Sequence, residues 1–296
     1  MRRPSTVDFI GIGGARCGTT WLTHCLRAHP QLCLSEPKEV RYFNRRTLLD
    51  EPQRAGLNPN HTKPLDWYLA HFRHSKPGQL NGECSPVYLY DEEAAAAIYR
   101  TFPCAKLIVC LRNPIDRAYS HYWLDRGNRN TMLGEASFEE ALERYPFYLE
   151  MGRYARQLKR YLACFPREQL LLLFSDDMKR EPASEVVKAL YFLGVEPTID
   201  PDVLRRSYGN APTQVRSPAF KWFLRDVARR AVDWGLSPVV KAMRRLKIQD
   251  LVRAVNATPL QYPEMRPETR QWLREALRQD IRELEAMAGR DLSHWR

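Results

Sequence analysis

The chain has 296 residues, with 46 Lys and Arg against 35 Asp and Glu, a formal charge of +11. That length can bury a large core. The positive balance points to anionic partners: a nucleotide, an acidic glycan, a membrane surface or nucleic acid. Seven cysteines, an odd number with no CxxC pair, point away from a disulfide framework and from a metal site and suit a reducing compartment. No apolar run has the length of a membrane span. The short polar segment Met1–Asp8 lacks the features of a signal peptide, so a cytoplasmic location is expected.

In chain order, an apolar run at Phe9–Ile12 predicts a strand, followed by a glycine-rich turn and a helix over Thr19–Ala28. A second strand, Gln31–Leu34, leads into Ser35–Arg41. Residues 44–78, rich in Pro, Asn, Arg and His, read as an irregular excursion on the substrate side, with a short helix near Trp67–Phe72. A third strand, Leu80–Glu83, precedes Cys84 and Ser85, and a helix covers Glu92–Thr101. The run Lys106–Leu111 is a fourth strand, ending at Arg112. Pro114 breaks the ladder and a helix starts near Ile115 or Asp116, its pattern covering Arg117–Arg126. Helices over Phe138–Glu143 and Tyr154–Cys164 lead to a fifth strand, Leu170–Phe174, then Ser175, Asp176 and Asp177, and a helix over Ala183–Phe192.

Strands alternating with helices predict an α/β fold, a P-loop-like central parallel sheet flanked by helices. Residues 217–296 are read as a helical C-terminal part of one domain spanning 1–296. Within it, residues 217–256 hold nine basic residues against three acidic ones. Such a segment packs as helices with solvated basic faces or makes peripheral contact with a membrane. Pro267–Met287 is an amphipathic helix with Trp272, Leu273, Leu277, Ile281 and Leu284 on its buried side.

Ligands of such sheets bind beyond the carboxyl ends of the strands, so the residues after each strand are candidates. Gly13 and Gly18 have Walker A spacing, but Thr19 stands where the lysine belongs, followed by Thr20. The loop suits phosphate-like oxygens held by backbone N–H groups and a helix N-terminus, and its cation is Arg16. Arg112 at a strand end and Ser120 in the next helix suit a second phosphate. The fourth strand does not end in the acidic residue that would hold magnesium. Glu39, between Lys38 and Arg41, is a carboxylate that its neighbours keep ionised, as a general base requires. Glu83 is the other candidate acid or base, and His71 is one of three histidines in the excursion available to an acceptor.

The pair GARCGTTWL and LRNPIDRAYSHY resembles the two nucleotide signatures of sulfotransferases that use 3′-phosphoadenosine-5′-phosphosulfate (PAPS). The segments EPKEVRYF, GECSPVYLY, FPREQLLLLFSDDM, YPEMRPETRQWL and GRDLSHW are also similar to family segments. They are closer to heparan-sulfate-type and bacterial carbohydrate or natural-product enzymes than to phenol and steroid enzymes. The resemblance implies that the loop from Arg16 through Cys17, Gly18, Thr19, Thr20 and Trp21 holds the 5′-phosphosulfate. It implies that Arg112 and Ser120 hold the 3′-phosphate and that Glu39 is the base. Arg16 and Lys38 would then neutralise the leaving phosphate, and Arg216 would contact the nucleotide. Arg41 stands where relatives often have His and Cys84 where many have Lys. The acceptor, contacted by Arg41, Glu83, Ser85 and His71, is therefore left as a carbohydrate, glycolipid or natural-product hydroxyl, less readily an amine. No metal and no nucleic acid is implied. A P-loop kinase-like phosphotransferase and a non-catalytic basic membrane-binding module are the alternatives. The kinase lacks its lysine, and the module leaves both phosphate motifs unexplained.

Overall fold

The computed structural model describes residues 6–45, 58–127, 133–206, 213–215, 257–259 and 262–296. Five parallel strands form its centre: β1 (Phe9–Gly13), β2 (Leu32–Leu34), β3 (Leu80–Cys84), β4 (Lys106–Leu111) and β5 (Leu170–Phe174), in the order β2-β3-β1-β4-β5. Central β1 and β4 are apolar and almost wholly buried, while edge strand β5 leaves Leu171 and Leu172 half-buried. A continuous apolar run thus reports burial on both faces only inside the sheet. Chain order reverses at β1, between β3 and β4, so a crevice is expected at the carboxyl ends of β1 and β4.

The helices, in chain order, are α1 (Thr19–Arg27), α2 (Leu65–Leu69), α3 (Ala94–Thr101), α4 (Pro114–Gly127), α5 (Phe138–Arg144), α6 (Phe147–Glu150), α7 (Tyr154–Leu162), α8 (Ser175–Arg180), α9 (Pro182–Leu193), α10 (Pro201–Arg206) and α11 (Pro267–Ala288). A short antiparallel pair joins Thr213–Val215 to Ala257–Pro259. The reading from sequence has no strand there. Among the described residues no helix is long and apolar enough to cross a membrane. The basic stretch 217–256, with its expected membrane contact, lies outside the described residues.

Helix α4 begins earlier than its apolar pattern indicates. Asn113 Oδ1 accepts from the N–H of Ile115 at 3.0 Å, and Pro114 takes the first helical position, where its missing N–H costs nothing. The C-terminal segment locks onto α7 and α8 through polar contacts, while Trp272, expected on the buried side of α11, is exposed. Asp280 of α11 accepts the N–H groups of Ala155 and Arg156 at the start of α7, each at 3.0 Å. Asp177 pairs with Arg290, and Asp176 accepts from Trp295 Nε1 at 3.2 Å. These two aspartates follow β5 and read from sequence as part of the active edge. They belong instead to α8 and anchor the chain end.

Candidate active site

The loop after β1 is tied to the carboxyl end of β4 by Gly14 N–H, which donates to the Cys110 carbonyl at 2.6 Å. A Cβ on Gly13 would lie 2.4 Å from the Leu89 Cβ, so only glycine fits. Gly18 has φ +92° and leads into α1, whose N-terminus no side chain caps. First-turn N–H groups have no intrahelical acceptor and suit an anion. Thr19 is buried and Thr20 half-buried. Arg16 has φ +68°, and its Nε and Nη2 donate to Ser120 Oγ of α4 at 3.3 and 3.2 Å. Burial, and then the nearby Arg112 charge, lower the Arg16 pKa, so an anion beside the two guanidiniums relieves both. Cys17 turns away: its buried Sγ lies 3.4 Å from Tyr154 Oη, and burial raises its pKa. It offers the site no thiol. Trp21 packs half-buried against the core.

Arg112 borders a cleft of about 410 Å³ lined also by Asp116, Tyr119, Tyr262, Met265 and Arg270. Tyr119 Oη donates to the Pro263 carbonyl at 2.9 Å, and Arg270 Nη2 to Asp116 Oδ1 at 3.0 Å. Tyr262 stacks on Trp123 with centroids 5.6 Å apart and planes 11° apart. Tyr262 and Arg270 are absent from the candidates read from sequence. The only signal for them is the segment YPEMRPETR, whose link to Arg112 depends on the fold.

On the other side of the loop, residues 35–43 form an arm containing two further left-handed residues, Glu39 (φ +66°) and Arg41 (φ +54°). Each non-glycine residue in that region costs roughly 1–2 kcal/mol. Arg16, Glu39 and Arg41 are the only such residues among those described, and such strain collects at functional sites. The arm is held by hydrogen bonds. Ser85 Oγ accepts from Arg41 N at 3.0 Å, and Tyr88 Oη accepts from Tyr42 N at 2.8 Å. Asn60 Nδ2 donates to the Val40 carbonyl at 2.9 Å, and Asn58 Nδ2 donates to the Arg41 carbonyl. The Glu39 carboxylate accepts from Lys38 Nζ at 3.1 Å and from Arg41 Nη2 at 2.8 Å and Nε at 3.2 Å. Burial acts to raise its pKa, but Lys38 and Arg41 together outweigh it and hold it below the usual range. Arg41 is thus a partner of Glu39, and Ser85 a support of the arm. His71 is engaged through Nδ1 with the Glu36 carbonyl at 2.8 Å and packs edge-on against Trp67. Arg216 lies outside the described residues.

Glu83, at the end of β3, is fully buried. The Ser85 and Tyr88 hydroxyls lie beside it, yet neither carboxyl oxygen has an aligned hydrogen bond. Burial, reinforced by Glu39, pushes its pKa up to about 7 against the pull of those hydroxyls. Below the ordinary value of 4.5 the carboxyl is protonated in both folded and unfolded chains, and its contribution to stability is fully present. As pH rises from there through 7 the unfolded chain loses the proton first, and that stability is lost. Glu83→Gln, which cannot ionise, is expected to remove this fall, on the order of 3 kcal/mol between acid and neutral pH. Urea unfolding of both proteins across the interval checks it. Parallel stability curves would show that Glu83 titrates normally.

A family model described as a sulfotransferase domain matches residues 7–211. The bifunctional heparan sulfate N-deacetylase/N-sulfotransferase 3 of Homo sapiens is 31% identical over 209 residues, 64% of this chain and 22% of that protein. The membrane-associated sulfotransferase kil1 of Dictyostelium discoideum is 33% identical over 143 residues, 46% of this chain and 27% of that protein. The chain therefore spans about a fifth to a quarter of the length of these curated relatives. A crystal structure of a sulfotransferase from Alicyclobacillus acidocaldarius is similar with a TM-score of 0.69 and 25% identity, covering 99% of each chain.

Proposed function

This chain belongs to the sulfotransferase domain family, and from that premise we propose that it moves a sulfuryl group from PAPS to a hydroxyl of a carbohydrate, glycolipid or natural-product acceptor. The observation that carries the reading is the contact of Arg16 with Ser120 at 3.2–3.3 Å. It joins the two phosphate motifs into one surface, with the α1 N-terminus at one end and the Arg112 cleft at the other. A nucleotide with phosphates at both its 5′ and 3′ positions needs such a surface, whereas ATP does not. Seven free thiols suit a reducing compartment such as the cytoplasm.

In the proposed reaction the acceptor oxygen attacks sulfur as the bond from sulfur to the bridging phosphate oxygen breaks. Glu39 takes the acceptor proton. Arg16, Lys38 and the first N–H groups of α1 offset the charge that grows on the leaving phosphate. Glu39 begins as a weak base because two cations hold it. An anionic phosphosulfate that draws Lys38 toward itself would weaken that hold and raise the basicity of Glu39 when donor is bound. Arg112 and Ser120 would fix the 3′-phosphate, with Tyr262 and Tyr119 beside the adenosine.

Calorimetric titration tests the reading. Tight binding of 3′,5′-adenosine bisphosphate without magnesium is expected, and magnesium-dependent binding of ATP alone would overturn it. Arg112→Ala is expected to weaken adenosine bisphosphate on the order of a hundredfold and adenosine 5′-monophosphate only a few-fold, as loss of one charge-assisted bidentate contact implies. Equal losses would show that Arg112 does not read the 3′-phosphate.

A further inference from the structure

Arg117 lies on α4 three residues before Ser120 and is fully buried. Its Nη1 is 3.3 Å from His121 Nδ1 and 3.8 Å from Met151 Sδ, and its Nη2 donates to the Tyr148 carbonyl. Its Nε is buried without an acceptor, and among the described residues no carboxylate comes within ion-pair distance. The nearest acid along the same helix face is Asp125, two turns on. Asp125 accepts from Tyr148 Oη at 2.6 Å, and its Oδ2 is 3.9 Å from His121 Nε2. His121 between them is neutral: burial first, and then the charges of Arg117 and Arg16, hold its pKa well below the ordinary value. A guanidinium removed from water without a counter-ion is costly, and a buried donor left unpaired calls for a reason.

The surroundings supply one. Arg117 stands one helical turn before Ser120, the residue Arg16 contacts, and its neighbour Met151 is three residues before Tyr154, which meets the loop at Cys17. Arg117, then Arg112 and Arg16, oppose the rise that burial gives the Cys17 pKa. Cys17 is the loop residue after Arg16, and its Sγ meets Tyr154 at 3.4 Å beneath the loop. The helix that meets the phosphate loop through Ser120 therefore carries a buried cation that no acid among the described residues neutralises.

We propose that Arg117 is a fixed internal counter-charge for the nucleotide, a positioning residue that acts on the phosphates through space and whose own burial is compensated when they are bound. This rests on the reading of the site as a PAPS site. A charge acting through space attracts a ligand in proportion to the ligand's charge, and its removal relieves the empty protein. A role confined to holding the Tyr148 carbonyl would do neither.

The test compares wild type, Arg117→Met and Arg117→Lys by calorimetry with adenosine bisphosphate and adenosine 5′-monophosphate, and by thermal unfolding without ligand. The Met variant is expected to unfold no earlier than wild type. It should bind adenosine bisphosphate on the order of 10–100-fold more weakly, with a smaller loss for the monophosphate. The Lys variant, which keeps the charge, is expected to bind the bisphosphate within about threefold of wild type. Three results overturn the inference: unchanged bisphosphate binding by the Met variant, equal factors lost for both nucleotides, or a Lys variant as weak as the Met variant. A Met variant that fails to fold assigns Arg117 a structural role and overturns it too. A wild-type protein that binds no bisphosphate sinks the PAPS reading instead.

Discussion

Glu39→Gln is expected to lower turnover by roughly 10²–10⁴-fold, the usual worth of a general base, while adenosine bisphosphate still binds. The side chain keeps its length, and the left-handed backbone at φ +66° costs Gln about what it costs Glu. The arm's hydrogen bonds to Ser85 and Tyr88 and from Asn58 and Asn60 do not involve the carboxylate, so the arm keeps its place. What is lost is the group that accepts the proton. Lys38 and Arg41 are also released from their acidic partner, so affinity for an anionic nucleotide should hold or rise. Single-turnover transfer of labelled sulfuryl, with calorimetry on the same samples, separates the two quantities. Unchanged transfer would remove Glu39 as the base. Because Glu39 is held below the ordinary carboxylate range in the free protein, the acid limb of kcat/KM should fall below pH 4.5, the ordinary value.

The second large effect is expected at Arg16. Replacement by Met is expected to cost roughly 10²–10³-fold in turnover, as removal of a single preorganised electrostatic donor does elsewhere. Met has similar reach and pays the same backbone cost at φ +68°. It cannot donate to Ser120 Oγ, and it leaves the developing phosphate charge to Lys38 and the α1 N–H groups. Arg16→Lys should recover part of the rate, because a point charge replaces one of the two roles of the guanidinium. The loss should appear mainly in kcat, since the charge it answers grows during bond breaking. A Met variant with wild-type kcat and a raised KM would place Arg16 in ground-state binding only.

Much of this site is legible in the residues because its parts are local. Gly13, Arg16 and Gly18 lie within one turn, and Arg112 and Ser120 within a strand end and the helix that follows. Such spacing carries its meaning without the rest of the fold. The left-handed state of Glu39 and Arg41 is not legible. Nothing in EPKEVRYF favours positive φ, and the arm holds it only because Ser85 and Tyr88 from the turn after β3, and Asn58 and Asn60 from the excursion, supply partners. The Arg112 cleft is similar, since its far wall at Tyr262 and Arg270 is some 150 residues distant in sequence.

The loop, the parallel sheet and the residue types suited to phosphate follow from sequence alone, because apolar runs, glycine spacing and strand-end charges act over a few residues. Tertiary structure decides which charges are compensated. It pairs Glu39 with Lys38 and Arg41, sends Asp176 and Asp177 to the C-terminus, raises the pKa of Glu83 by burial, and buries Arg117 with no acid beside it among the described residues. Charge compensation depends on distance and on exclusion of water, and both are set only when segments far apart in the chain pack together.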